Sequence, residues 1–377
     1  MKKLKFGMVG GGAGSFIGEI HLKGALFDNL GELVAGCFSR DYQKSLDFGH
    51  SRGIAEDRIY KTYTEMAEAE AKRPDPIDFV IIVTPNNTHF ECSKAFLENG
   101  INVVCDKPLT HYAWESEELM NLAKEKDLFF GVTYAFSQYP AVSFMRKMIK
   151  DGKLGKLRLV KAEYLSDNFA VPNEKLGNSM LWRIDPKFAG QSTCCGDIGV
   201  HAHNLVWSVT GLQIDELSAD LNVYGEDRVL DTNFTAVIRY KDGVKGHIWC
   251  SNVAIGKCND LNIAVYGDKG NISWSEETAD IVVFSELSGC SMHYRMGTSF
   301  SSIGDNAMFR LPAGVSEGYY EGFANFYKKY MTALSKKLSG EEYEKNFPDV
   351  WCGLDGLNFV EACISSSKEN GKWTKVQ

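Results

Sequence analysis

The sequence predicts an α/β protein: a doubly wound parallel sheet, followed by an α+β domain with a large, mostly antiparallel open sheet. Three observations carry that expectation. A short apolar strand runs straight into a glycine-rich turn at the N-terminus. Strand and helix patterns then alternate over roughly the first 130 residues, as parallel sheets with crossover helices require. Beyond that point the rhythm changes to strands joined by hairpin signals.

Within the first part, strands are expected over 5–9, 33–38, 78–83, 101–105 and 128–133, and helices over 19–30, 42–51, 64–72, 89–99 and 114–126. The segment DFVIIV at 78–83 is continuously apolar, as befits a strand covered on both faces. Gly100 follows the 89–99 helix as a C-cap. In the second part a helix over 141–150 stops at Asp151-Gly152, and 157–164 alternates like a strand with one exposed face. Further strands are expected over 216–223, 232–240, 244–252, 261–266 and 270–274, with turns at Asp242-Gly243 and Gly267-Asp268-Lys269-Gly270. The stretch 286–312 reads as loop, and 317–338 and 354–369 as helices. The domains divide as 1–134 and 135–377.

The 377 residues exceed one ordinary domain, and an apolar content of 44% suffices for a sizeable core. Lysine and arginine number 41 against 49 acidic residues, a formal charge of −8. That balance argues against a nucleic-acid binder or a polybasic membrane contact. No apolar run approaches the ~20 residues of a membrane-spanning helix. The basic start Met1-Lys2-Lys3 leads into a strand rather than a signal-peptide core. Ten scattered cysteines without a CxxC then fit reduced thiols, and a cytoplasmic location is expected.

Five motifs carry chemistry. Gly10-Gly11-Gly12-Ala13-Gly14-Ser15 lies between the first strand and a helix, where glycines let backbone approach a pyrophosphate and the helix N-terminus favours its charge. This is the Rossmann arrangement, although the spacing is not a clean GxGxxG. At the end of the second strand, Ser39 and Arg40 favour a ribose 2′-phosphate, while Asp41 keeps a free ribose open; NAD and NADP both stand. Thr84-Pro85-Asn86-Asn87-Thr88-His89 follows a parallel strand at its ligand-binding end; Asn87 or Thr88 could equally cap the next helix. Asp106-Lys107-Pro108 ends another strand, and a lysine there can steady a substrate oxygen as charge develops. In Gly196-Asp197-Ile198-Gly199-Val200-His201 a helix would set Asp197 and His201 on one face, giving a histidine base with a carboxylate partner. A capping aspartate with a structural histidine is the plainer alternative. The adjacent Cys194-Cys195 with His201 and His203 lacks the separated ligand pairs of a zinc site, so no metal is expected.

Taken in order, these segments resemble the Gfo/Idh/MocA oxidoreductases across nearly the whole chain. The resemblance rests on the glycine loop, the TPN-x-x-H segment, Asp106-Lys107-Pro108, Gly152-x-x-Gly155-Lys156, Trp182-Arg183, the D-x-G-x-H motif and Gly267-Asp268-Lys269-Gly270. Asp106 stands where the family more often has Glu. The loop GGGAGSFIGEIH is similar to that of a subgroup including levoglucosan dehydrogenase and glycoside 3-dehydrogenases. The resemblance implies a catalytic trio of Lys107, Asp197 and His201, with Tyr134, Trp182 and Arg183 joining them around the substrate. It implies cofactor contacts from Gly10, Gly12, Ala13, Gly14, Ser15, Phe16, Ile17, Ser39, Arg40, Thr84, Pro85, Asn87, His89, Asp106 and Lys107. The implied activity is NAD(P)-dependent oxidation of a secondary hydroxyl, C3 being one candidate, on a sugar, glucoside or anhydrosugar. Reduction of a ketose or anhydrofructose, an inositol-type dehydrogenase, and a sensor that binds without chemistry are the alternatives. A homodimer or homotetramer through the second domain's sheet is also implied.

Overall fold

A computed structural model of the chain describes residues 3–298 and 308–377. The chain forms two compact units: Met1–Ala135 with Tyr320–Leu354, and Phe136–Tyr319 with Asp355–Gln377. The sequence-based division at 134/135 left 320–354 with the second domain; these residues belong to the first unit.

The first unit is built on a five-stranded sheet in the order β2-β1-β3-β4-β5, with every pair parallel. Its strands are β1 Leu4–Gly10, β2 Gly31–Cys37, β3 Phe79–Val83, β4 Asn102–Cys105 and β5 Phe130–Val132. Helices α1 Phe16–Leu26, α2 Tyr42–Ser51, α3 Tyr63–Lys72, α4 His89–Glu98 and α5 Ala113–Glu125 connect them. All five residues of β3 are buried, which is why this strand is apolar without alternation. The first helix starts at Phe16, earlier than the expected 19, because Ser15 caps it by accepting the Gly18 N–H at 3.1 Å.

The returning segment completes this core. Helix α10, Tyr319–Leu338, sets Tyr330 against Phe79 and Phe129, and the Tyr330 hydroxyl donates to the Val103 carbonyl at 3.2 Å. Gly131 is small because a Cβ there would meet the rings of Phe326 and Tyr330 at 2.8 and 3.0 Å. The Val132 N–H donates to the Pro348 carbonyl at 2.9 Å, which occupies the otherwise open edge of β5.

The second unit is a nine-stranded sheet in the order β13-β12-β11-β10-β6-β9-β8-β7-β14, antiparallel except for the β6–β9 pair. The strands are β6 Leu157–Leu165, β7 Ile214–Asn222, β8 Asn233–Tyr240, β9 Lys245–Ser251, β10 Asp260–Gly267, β11 Gly270–Ser275, β12 Ile281–Glu286, β13 Ser291–Arg295 and β14 Thr374–Lys375. Helices α6 Pro140–Lys150 and α9 Val200–Thr210 pack together, and α9 covers β6, β9 and β10. The short helices α7 Asn178–Leu181 and α8 Pro186–Ala189 precede α9, and α11, Val350–Lys368, follows near the C-terminus. Alternate strand residues face away from the helices, among them the exposed Leu159, Val237 and Tyr266.

The stretch expected to be loop from 286 holds a strand instead. β12 and β13 form a hairpin turning at Gly289, whose φ of 90° suits glycine alone. Residues 299–307 of that stretch lie outside the described residues. Among the described residues no helix is long and apolar enough to cross a membrane.

Candidate active site

In the first unit, the sequence-flagged segments gather at the carboxyl edge of the parallel sheet. The glycine turn follows β1, Ser39 and Arg40 follow β2, Thr84-Pro85 follows β3, Asp106-Lys107 follows β4, and Tyr134 follows β5. Strand order reverses between β1 and β3, so Gly10 and Val83 flank the switch point where such sheets bind ligands.

The glycine turn is a cradle that side chains would fill. Gly10, Gly11 and Gly14 have φ of 78°, 70° and 82°. A Cβ on Gly12 would lie 2.8 Å from the Phe38 carbonyl oxygen, and one on Gly18 would lie 2.3 Å from the Gly11 Cα. Gly18 thus supplies the close helix–strand approach that the third glycine of a regular fingerprint provides. Above Gly14 there is open space, and Ala13 and Phe16 are exposed. Ser15 satisfies one amide of the first turn of α1; those of Phe16 and Ile17 have no acceptor within the helix and suit a pyrophosphate. The loop therefore fits a dinucleotide despite its irregular spacing.

At the adenosine end, Arg40 is exposed, whereas the Asp41 carboxylate caps α2 by accepting from Gln43 and Lys44. After β3, Asn86–Thr88 forms a short 3₁₀ turn; Asn87 and Thr88 make no side-chain cap, and the Thr88 hydroxyl donates to the Pro85 carbonyl at 2.9 Å. His89 is buried with its two ring nitrogens 3.0 Å from the Pro108 carbonyl and 2.9 Å from the Thr84 carbonyl. It ties the β3 and β4 loops together. Burial pushes its pKa down, against the charge of Asp106 and the two carbonyls.

Asp106 is the electrostatic centre of this edge. Its Oδ1 accepts the Lys107 N–H and the Thr133 hydroxyl, both at 2.8 Å. The buried His21 of α1 places Nε2 3.6 Å from the same oxygen, while its Nδ1 contacts the Tyr327 hydroxyl at 2.7 Å. Burial alone would raise the Asp106 pKa; His21, Lys107 and His89 outweigh it and hold the carboxyl well below the ordinary range. Asp106 therefore orients the Lys107 backbone as an anion. Neither His21 nor Tyr327 was singled out from sequence, although His21 lies within the quoted loop GGGAGSFIGEIH. Tyr134 is 1% exposed.

In the second unit, the D-x-G-x-H motif does not begin an ordinary α-helix. Cys195–Gly199 is a π-helical turn, with the Val200 N–H reaching back to Cys195, and α9 starts after it. Such turns are rare and concentrate at functional sites. Asp197 is carried on this wide turn and His201 on the next. Gly199 is required because a Cβ would press on the Phe234 ring at 2.7 Å. Arg183 Nε lies 3.6 Å from Asp197 Oδ2, and the Arg183 guanidinium sits over the Trp182 ring at 4.6 Å. Trp182, Arg183 and Asp197 are thus brought together. His201 is 7% exposed and walled by Phe136, edge-to-face at 4.9 Å, and by Tyr164 at 6.1 Å. The Tyr164 hydroxyl donates to Asn259 Oδ1 at 2.5 Å. His203 points elsewhere, with Nε2 2.6 Å from Asp355 and its ring stacked on Phe359. Among the described residues no group of three or more His, Cys, Asp or Glu side chains is arranged to hold a metal.

Comparison with known proteins agrees with this construction. Residues 4–134 match the oxidoreductase family's NAD-binding Rossmann fold, and residues 142–273 match the GFO/IDH/MocA C-terminal domain. The chain is 34% identical over 383 residues to the uncharacterized oxidoreductase YfiI of Bacillus subtilis, covering all of this chain and 98% of that one. An inositol dehydrogenase homolog from Azotobacter vinelandii, solved in complex with NAD+, superposes with a TM-score of 0.93 at 31% identity over 99% of this chain and 97% of that one. Levoglucosan dehydrogenase of Pseudarthrobacter phenanthrenivorans is 27% identical over 230 residues, 55% of this chain and 57% of that one. The protein is an oxidoreductase with an NAD-binding Rossmann domain. More narrowly, it belongs to the Gfo/Idh/MocA family.

Proposed function

We propose that the protein oxidises a secondary hydroxyl on a ring-shaped sugar or cyclic polyol with NAD+, with Lys107, Asp197 and His201 as the catalytic residues. The observation that carries this reading is the π-helical turn, which presents Asp197 beside Arg183 with His201 one turn on, against Phe136 and Tyr164. Polar groups beside aromatic faces suit a ring that is hydroxylated at its rim and apolar on its faces.

Bound NAD+ supplies the hydride acceptor. His201 takes the hydroxyl proton as the C–H bond breaks, which a near-neutral imidazole can do and later reverse. Asp197 orients that imidazole and, with Arg183, holds a neighbouring hydroxyl. Lys107 binds the reacting oxygen and offsets its developing charge. Gly10, Gly12, Ala13, Gly14, Ser15, Phe16 and Ile17 hold the pyrophosphate, Ser39 and Arg40 the adenosine ribose, and Thr84, Pro85 and Asn87 the nicotinamide side, while Asp106 and the buried His89 fix those loops from behind rather than touching the cofactor. Tyr134 and Trp182 complete the substrate surroundings.

Among substrates, the full-length likeness to the Azotobacter homolog, also solved with NADH and myo-inositol at 31% identity, favours a cyclic polyol. The partial likeness to levoglucosan dehydrogenase favours an anhydrosugar or glucoside. A spectrophotometric screen of NAD+ and NADP+ against inositols, glucosides, anhydrosugars and free sugars tests the reading. Turnover of at least one cyclic polyol or pyranose is expected; tight NADH binding without turnover across that panel would leave a sensor in its place. The sheet face bearing Leu159, Val237 and Tyr266 supports assembly into a homodimer or homotetramer, which light scattering on the purified protein checks.

A further inference from the structure

We infer that Asp231 is a positioning residue for the Asp197–His201 pair: a buried carboxylate that fixes the short segment governing where Asp197 and Arg183 point. The inference rests on the reading of Asp197 and His201 as catalytic.

Asp231 stands in the connection between β7 and β8 and is 5% exposed. One carboxylate oxygen accepts the Thr193 N–H at 2.9 Å and the other accepts the Cys195 N–H at 2.8 Å. Its own carbonyl accepts the intervening Cys194 N–H at 3.1 Å. Three consecutive amides therefore end on one residue distant in sequence. The segment they belong to leads directly into the π-helical turn.

From that segment the constraint spreads in two directions. The Thr193 carbonyl accepts the Asp197 N–H at 2.9 Å, and the Ser192 hydroxyl accepts the Gly196 N–H at 2.9 Å. The Thr193 hydroxyl donates to the Arg183 carbonyl at 2.7 Å. One carboxylate thus sets the backbone of both partners in the Arg183–Asp197 contact. The post itself is anchored in the sheet. The Thr232 N–H donates to the Asn222 carbonyl at 2.9 Å, and the Thr232 carbonyl accepts the Asn252 N–H at 2.8 Å.

The choice of aspartate is informative. Burial raises its pKa, and the backbone N–H groups of Cys195 and Thr193 and the Ser192 side chain oppose that. An asparagine has the same shape but only one accepting oxygen, and its amide would face a backbone N–H donor-to-donor. Only the carboxylate accepts from both amides at this side-chain length.

The test uses the full-length protein and two variants, Asp231→Asn and Thr193→Val. In Asp231→Asn, amide exchange across 193–199 should accelerate roughly tenfold or more, while the amides of β1, β3 and β4 keep their rates. NADH binding, followed by its fluorescence, should stay within about twofold. Turnover of whichever of myo-inositol and levoglucosan the wild type oxidises should fall by roughly 10–100-fold, the cost of an ångström-scale misplacement. Thr193→Val keeps the carboxylate contacts and releases Arg183, so a smaller loss of turnover at unchanged NADH affinity is expected. Unchanged exchange at 193–199 in Asp231→Asn overturns the inference. So does loosening of both units together with loss of NADH binding, which marks a role in overall stability. Should Asp231→Asn not fold, full turnover in Thr193→Val overturns it instead. A fully active His201→Ala variant would instead sink the underlying reading of the pair, and is read separately.

Discussion

The two units present their candidate residues in different materials. In the first, the cofactor edge is mostly main chain: positive-φ glycines, helix-turn amides and carbonyls held by His89. In the second, the proposed substrate side is mostly side chain, with Arg183 and Asp197 on irregular turns tied through Asp231 and His201 in the first turn of α9. A dinucleotide is the same in every turnover, so a surface of fixed backbone suffices. A substrate that differs between relatives calls for replaceable side chains on loops.

This contrast can be broken from either side. The largest expected effect is on the substrate edge: His201→Ala should lower kcat by ~10²–10⁴-fold in an NADH-release assay while leaving NADH affinity unchanged. The reverse pattern belongs to Gly18→Ala. Its methyl would meet the Gly11 Cα at 2.3 Å, forcing α1 off the turn. Overpacking of about 1–3 kcal/mol corresponds to roughly 5–150-fold weaker NADH binding by fluorescence titration. If that variant binds NADH normally, main-chain fit is not what holds the cofactor.

Asp106→Asn sits between the two behaviours. It removes the anion facing His21 and weakens the anchor of the Lys107 amide, so both NADH affinity and kcat should fall, with a stability loss of about 1–3 kcal/mol in urea titrations. The smallest effect is the pH response of His89. Its folded pKa is lowered, so the unfolded chain binds the proton more readily. The stabilisation is fully present above the ordinary histidine value of about 6.5 and is lost as pH falls from there towards the folded value. Tm should drop between pH 7 and pH 5, at about 2–4 °C per kcal/mol, and His89→Gln should flatten that slope.

The main-chain edge was largely legible in the sequence, because glycines, prolines and apolar strands advertise backbone geometry locally. The strand DFVIIV, the glycine turn and Asp106-Lys107-Pro108 all fall at the sheet edge where their patterns put them. The side-chain edge was legible only in its motif. Asp197 and His201 could be named, but the π-helical turn depends on Gly199 meeting Phe234, a contact across the fold. Asp231 gave no signal, since its partners lie nearly forty residues earlier and are backbone amides. The β12–β13 hairpin escaped because its outer strand, SMHYR, is half exposed and mostly polar, so its alternation is weak. The membership of 320–354 in the first unit is a long-range packing fact that no local period encodes.

That last feature has a bearing on synthesis. The sheet of the first unit is finished by residue 132, yet Phe79 and Phe129 wait for Tyr330, and β5 waits for Pro348. As the chain leaves the ribosome, its nucleotide-binding half must stand with an apolar flank uncovered until residues 320–354 have emerged. An expression fragment ending near residue 135 would inherit that bare flank permanently, and any transplant of this half into another protein has to carry two separated stretches of gene.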